Sequence, residues 1–105
     1  MGVRKPPSHL SREAKKIWRE IDGNWVLDVG DYPILKTALE AYDRLQAARE
    51  VVKEHGLIIK DPSRRLRANP ALKIEKEARS GFLRAWKQLG IDEEPPGPMG
   101  RPPGR

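Results

Sequence analysis

Lys73, Lys76, Arg84 and Lys87 are spaced so that, on a helix of 3.6 residues per turn, they project within about 80° of one another. Ser80 falls on the same side and adds a neutral hydroxyl. A row of cations with an occasional hydroxyl suits phosphate oxygens, through contacts that tolerate any base sequence and weaken steeply with salt. Two further groups repeat the chemistry: Arg12, Lys15, Lys16 and Arg19 near the start, and Arg64, Arg65 and Arg67 in the middle. Segments 1–22, 57–70 and 71–90 each carry +3, while 23–30, 31–56 and 91–105 each carry −1. For one helix alone a solvated lysine face is an equal reading. Three positive segments exceed what solubility asks of a small chain.

Catalytic chemistry finds no comparable support. His9 and His55 have no partner at metal-ligand or triad spacing. Neither a phosphate-cradling loop nor a dinucleotide fingerprint occurs. Carboxylates mostly sit one helical turn from a base, as in Glu40 with Arg44 and Glu75 with Arg79, the pattern of a solvated helix face. No enzyme, cofactor or metal is expected. Trp18, Trp25 and Trp86 could stack on bases, but beside Ile and Leu at helical spacing they suit core or interface anchors better.

The elements that must position these groups follow from caps and periodicity. Residues 1–10 read as a flexible basic arm, and Ser11 caps a helix from Arg12 to about Asp22 with Gly23 as its stop. Ala14, Ile17, Trp18 and Ile21 form its apolar stripe, opposite the four cations. Trp25-Val26-Leu27 is a short apolar link. Asp28 or Asp31 then caps a long central helix that tolerates Pro33 in its first turn and ends at His55-Gly56. Its apolar arc comprises Ile34, Leu35, Ala38, Leu39, Tyr42, Leu45, Val51 and Val52, with Ala41 and Ala48 at the margin. About half the circumference exceeds what one neighbour needs, so the arc should meet both the chain's own helices and another subunit. Arg49 points into this arc, either to snorkel past the helix end or to pair with an acid across an interface.

Leu57 to Lys60 is strand-like, Asp61-Pro62-Ser63 is a turn, and Arg64 to Arg67 returns as a second strand. So short a hairpin must lean on the helices or on a neighbour. Asn69 then caps a third helix with Pro70 at its first position, running to Leu89 and stopping at Gly90. Ile74, Ala78, Phe82, Ala85 and Leu89 line its apolar side. Residues 11–91 thus form one helical domain, and 92–105 a Pro/Gly/Arg-rich tail expected to be disordered.

Of the 105 residues, 37 % are hydrophobic and 34 % charged, which builds only a thin core; oligomerisation is the usual remedy. The net charge of +6 suits an anionic partner, nucleic acid before membrane. Absence of cysteine fits a reducing compartment. No apolar run could span a bilayer, and Met1 to Pro7 lacks a signal-peptide core, with Pro6 and Pro7 where a myristoylation signal wants Ser or Thr. The expected location is cytoplasmic.

Three pieces together resemble the small terminase subunits of tailed double-stranded-DNA phages. They are Leu10-Ser11-Arg12-Glu13-Ala14-Lys15-Lys16-Ile17-Trp18; the long helix with Asp31, Leu35 and Tyr42 ending in His55-Gly56-Leu57-Ile58-Ile59; and Asn69-Pro70-Ala71-Leu72-Lys73-Ile74 with Leu89-Gly90-Ile91. Order and spacing match from about residue 8 to 91. The resemblance implies a non-catalytic subunit in the host cytoplasm that recognises viral DNA and regulates a large ATPase/nuclease subunit. It also implies a homo-oligomeric ring, of roughly eight to twelve copies related by cyclic symmetry. The chain departs from that pattern in its shortness, its Pro/Gly/Arg tail and the approach Trp25 to Gly30.

The expected fold is therefore mainly helical, three helices with a short β-hairpin, assembled as a ring. The expected DNA contacts are Arg12, Lys15, Lys16, Arg19, Arg64, Arg65, Arg67, Lys73, Lys76, Arg84 and Lys87. The expected oligomer contacts are Leu35, Leu39, Tyr42, Leu72, Leu83 and Trp86. A dimeric helix-turn-helix regulator turning at Gly23-Asn24 and a structural adaptor with a basic face are the alternatives, the first disfavoured by its long turn and its apolar second helix.

Overall fold

The computed structural model describes residues 4–91; the expected tail, 92–105, lies outside them. Three helices, α1 (Arg12–Asn24), α2 (Asp31–His55) and α3 (Ala71–Leu89), carry the fold, with a two-stranded antiparallel hairpin of β1 (Ile58–Lys60) and β2 (Leu66–Ala68) between the last two. The register pairs Ile58 with Ala68, Ile59 with Arg67 and Lys60 with Leu66.

Capping chemistry explains where the helices begin. The Ser11 hydroxyl accepts the Ala14 N–H at 3.0 Å and donates to Asp43 on α2, so one hydroxyl both starts α1 and docks it. At α2 the first helical residue is Asp31 itself. Its carboxylate reaches back to the Asp28 N–H at 2.8 Å, satisfying a donor just ahead of the helix, and its charge sits where the helix dipole favours it. Asn69 precedes α3 and its Oδ1 accepts the Ala71 N–H at 3.0 Å, with Pro70 in helical conformation between them. Gly56 and Gly90 take positive φ (87° and 74°) and close α2 and α3. Gly23 does not stop α1. The helix runs one residue further because Asn24 Nδ2 donates to the Glu20 carbonyl (2.8 Å) and Trp25 N–H to the Ile21 carbonyl (3.0 Å).

The long helix is covered on two sides by its own chain. Facing pairs run down α2 and up α3 in near-heptad steps: Tyr42 stacks near Phe82, Arg49 pairs with Glu75, and Gly56 meets Asn69. Along this seam the buried residues are mostly small: Ala38, Ala41 and Ala48 from α2, with Leu45 among them, and Ala71, Ala78 and Ala85 from α3. Small side chains let two helix axes approach closely. Ala41 and Ala48, marginal in the sequence pattern, thus lie at the centre of the packing, while Val51 is 41 % exposed. Arg49 finds its acid within the chain, on Glu75 at 3.5 Å.

The other side of α2 meets α1 in a core of Leu10, Ala14, Trp18, Ile21, Tyr32, Leu35, Leu39 and Ile91, edged by Tyr42, Trp86 and Leu89. The α1–α2 link packs here too, through Trp25 and Leu27. Leu35 and Leu39 are fully buried, which corrects their reading as oligomer contacts: periodicity shows that a face is apolar, not which element covers it. The arm is extended, but in residues 4–10 it is tied down. Asp22, buried, accepts the Tyr32 hydroxyl at 2.6 Å and the Arg4 backbone N–H at 3.0 Å, and Trp18 Nε1 donates to the Arg4 carbonyl at 2.9 Å. The bond to Asp22 holds the Tyr32 hydroxyl above its usual pKa of 10.0.

Asn69 uses every polar group it owns: its N–H donates to the Leu57 carbonyl (2.7 Å), Nδ2 to the Gly56 carbonyl (2.8 Å), and Oδ1 caps α3. Replacing Asn69 by Ala should cost about 2 kcal/mol, combining a lost cap with an orphaned carbonyl. Asn69→Ser, which keeps a capping acceptor without setting a charge against the Gly56 carbonyl, should cost less. Equal urea midpoints for all three proteins would remove Asn69 from the account of how α3 starts.

Candidate nucleic-acid interface

Every sequence-derived cation lies at the surface. Arg12, Lys16 and Arg19 on α1 are exposed and Lys15 is half-buried; Arg64, Arg65 and Arg67 on the hairpin and Lys73, Lys76, Arg84 and Lys87 on α3 are exposed. Among the described residues none of these eleven forms an ion pair; the pairs present are His9–Glu40, Arg49–Glu75 and His55–Glu54. They are charges without internal partners, the state in which cations are available to phosphates.

The fold does not gather them into one patch. The pairs Asp22–Tyr32 and Ser11–Asp43 set α1 antiparallel to the first half of α2, whereas the hairpin lies beyond its last residue. At 1.5 Å per residue, α1 and the hairpin arginines are roughly 20–30 Å apart along α2. Lys73 and Lys76 stand at the hairpin end of α3, Arg84 and Lys87 at the α1 end. The molecule measures 58 × 31 × 22 Å, so the basic groups are strung along an elongated body.

The hairpin turn is built around one carboxylate. Asp61 Oδ1 accepts from Ser63 Oγ (2.7 Å), Ser63 N–H (2.9 Å) and Arg65 N–H (2.9 Å), and the Asp61 carbonyl accepts the Arg64 N–H (2.8 Å). Arg64 and Arg65 therefore belong to the turn rather than to the second strand, which begins at Leu66; the sequence pattern could not register an Asp-centred loop of this length. Arg64 is held at φ 68°, a left-handed conformation that costs a non-glycine residue roughly 1 kcal/mol. Glycine would be the cheaper residue there, so the turn spends stability to display a cation at its tip.

The expected oligomer contacts divide. Leu35 and Leu39 are core; Tyr42 and Trp86 are half-buried and both lie beside Phe82, with ring centroids 5.9 and 5.1 Å away. Leu72 is half-buried and only Leu83, at 51 %, is open. The open apolar surface is elsewhere: Leu57, Ile58 and Leu66 on the hairpin, Ile74 on α3, and Val26 and Val29 in the α1–α2 link. No helix among the described residues is long and apolar enough to cross a membrane, and no group of three or more acidic, His or Cys residues there could hold a metal.

The structure is that of an elongated three-helix protein with a hairpin, its surface cations lacking ion-pair partners among the described residues. The chain belongs to the phage terminase small-subunit family, whose model matches residues 12–94. That membership gives it a role in phage packaging, in a family that is generally non-catalytic. No curated protein and no solved structure matches the chain.

Asp61 makes the turn sensitive to acid. Its hydrogen bonds, first from the Ser63 hydroxyl and then from the Arg65 N–H, hold its pKa below the ordinary 3.8. A depressed folded-state value means the carboxylate's contribution is complete above the unfolded pKa and fades as pH falls through the lower folded one. The Ser63 and Arg65 amides should stay protected at pH 5 and lose protection in that acid window, read by NMR hydrogen exchange. Protection that persists unchanged far below it would mean that Asp61 does not hold the turn.

Proposed function

We propose that this chain is the DNA-binding, ring-forming subunit of a phage packaging machine, acting without catalysis in the host cytoplasm and regulating the large ATPase/nuclease subunit. The observation that carries the reading is the set of eleven surface cations with no ion-pair partner among the described residues, on a chain of this family. Contacts from lysines and arginines strung along a body of this length suit phosphates rather than base edges. The helix-turn-helix alternative loses support: the link between α1 and α2 spans six residues, and the apolar side of α2 that made it a poor reader is packed by α1 and α3.

Ring assembly, in this reading, uses surface that the protomer leaves apolar. Leu57, Ile58 and Leu66 expose 57–70 % of their area on a hairpin whose outer strand edges are free. The hairpin would then bridge subunits through its apolar residues while its turn carries arginines outward.

Two measurements test the proposal. Native mass spectrometry at moderate salt should show one closed species of many subunits, and Ile58→Asp with Leu66→Asp should shift it to smaller species; a monomer in the unaltered protein would overturn the ring. Charge reversal of Arg64 and Arg65 should weaken duplex binding and lower the steepness of its salt dependence by about two, one for each lost phosphate contact. An unaltered slope would take the hairpin out of the DNA contact.

A further inference from the structure

A cleft of about 520 Å³ opens between the N-terminal arm and α1, lined by Arg4, Lys5, Ser8, Lys15, Arg19 and Asp22. Four cationic residues and a serine thus border one space, together with a single acidic residue. That carboxylate is already committed: Oδ1 to the Tyr32 hydroxyl and Oδ2 to the Arg4 N–H. Its negative charge is turned toward these donors.

The cleft is constructed rather than incidental. Arg4 has its backbone fixed at both ends, N–H to Asp22 and carbonyl to Trp18 Nε1. Both partners are buried, at 4 % exposure each. Burying a carboxylate is costly unless it is hydrogen-bonded. Here a buried acid and a buried indole hold an arm backbone whose side chains carry positive charge. The Arg4 guanidinium lies 4.3 Å from the Tyr32 ring centroid, a cation–π contact that does not use its N–H donors. No guanidinium N–H of Arg4 has a hydrogen-bond partner among the described residues. Lys15 and Arg19, one turn apart on α1, supply the opposite wall.

We infer that this arm–α1 cleft is a phosphate-binding site that grips one strand of a DNA duplex, with Arg4 and Lys5 contacting the backbone from one side and Lys15 and Arg19 from the other. The inference rests on the DNA-binding reading and adds to it a location and two residues, Arg4 and Lys5, outside the sequence-derived set. The exposed cations Arg12 and Lys16 continue the α1 wall outward from the cleft, as a strand leaving it would require. A free phosphate or pyrophosphate offers the same chemistry in a smaller ligand, and competition tells the two apart.

The test measures binding of a fluorescent 30-base-pair duplex by anisotropy across a salt series, for the full chain and for Lys5→Glu with Arg19→Glu. Both side chains are exposed, and circular dichroism checks that the variant is folded. The expected result is a Kd raised about tenfold or more, with the salt slope reduced by about two. A folded variant with the original Kd and slope, set against a full chain that binds, would overturn the cleft and leave the DNA-binding reading intact. A full chain that binds no duplex at low salt would overturn both. Displacement of the duplex by pyrophosphate at micromolar concentration would make the cleft a site for a small anion and overturn its assignment to a strand. Should the variant not fold, acetylation of the unaltered protein decides: Lys5 and Lys15 should lose reactivity when duplex is added, and unchanged reactivity would count against the site.

Discussion

A helix of 25 residues with apolar side chains over about half its circumference cannot be sheltered by a single neighbour. That constraint organises this protein. Its chain meets it by folding α1 back along the first half of α2 and α3 back along the whole of it, two antiparallel returns on adjacent faces of one rod. The two contacts use different chemistry. Toward α1 the packing is large and aromatic, with Trp18 and Tyr32 5.8 Å apart between leucines and isoleucines. Toward α3 it is a seam of alanines, where close approach of backbones replaces side-chain bulk. Once both faces are used, the large apolar residues that stay open lie mostly on the hairpin, parts of α3 and the first link, with Val51 near the end of α2.

The same arrangement distributes charge. Because α1 stops halfway along α2 and the hairpin starts beyond its end, the positive segments of the sequence are separate stations on the surface. A partner that engages them together must be extended, as a duplex is, or must meet several copies of the chain. Internal ion pairing is sparse along this surface, so the field is left unquenched.

How much of this was legible in the sequence depended on the range of the interaction concerned. Ser11, Asn69, Gly56 and Gly90 announced their roles because capping is settled within a few residues. The hairpin was legible as an alternation of apolar and turn residues, although the Asp61 loop took Arg64 and Arg65 away from the second strand. The spacing of Leu35 and Leu39 marks an apolar face but is silent about what covers it, and the fold buries both within the chain. Ala41 and Ala48 looked marginal because an alanine is worth little until a second helix comes close. The Arg4–Asp22 tie joins residues 18 apart through a backbone N–H, and no residue type or spacing could have signalled it. Of the candidate site, the cations themselves were visible; their separation into stations, and the arm's share in one of them, required the fold.

One residue, Asn69, sets where the hairpin sits. Its two side-chain hydrogen bonds, with the one donated by its backbone N–H to the Leu57 carbonyl, fasten the strand pair to the end of α2 and the start of α3 at a single joint. The base of the hairpin is thereby placed by the two long helices together, so the position of the Arg64 tip relative to them is set at one residue.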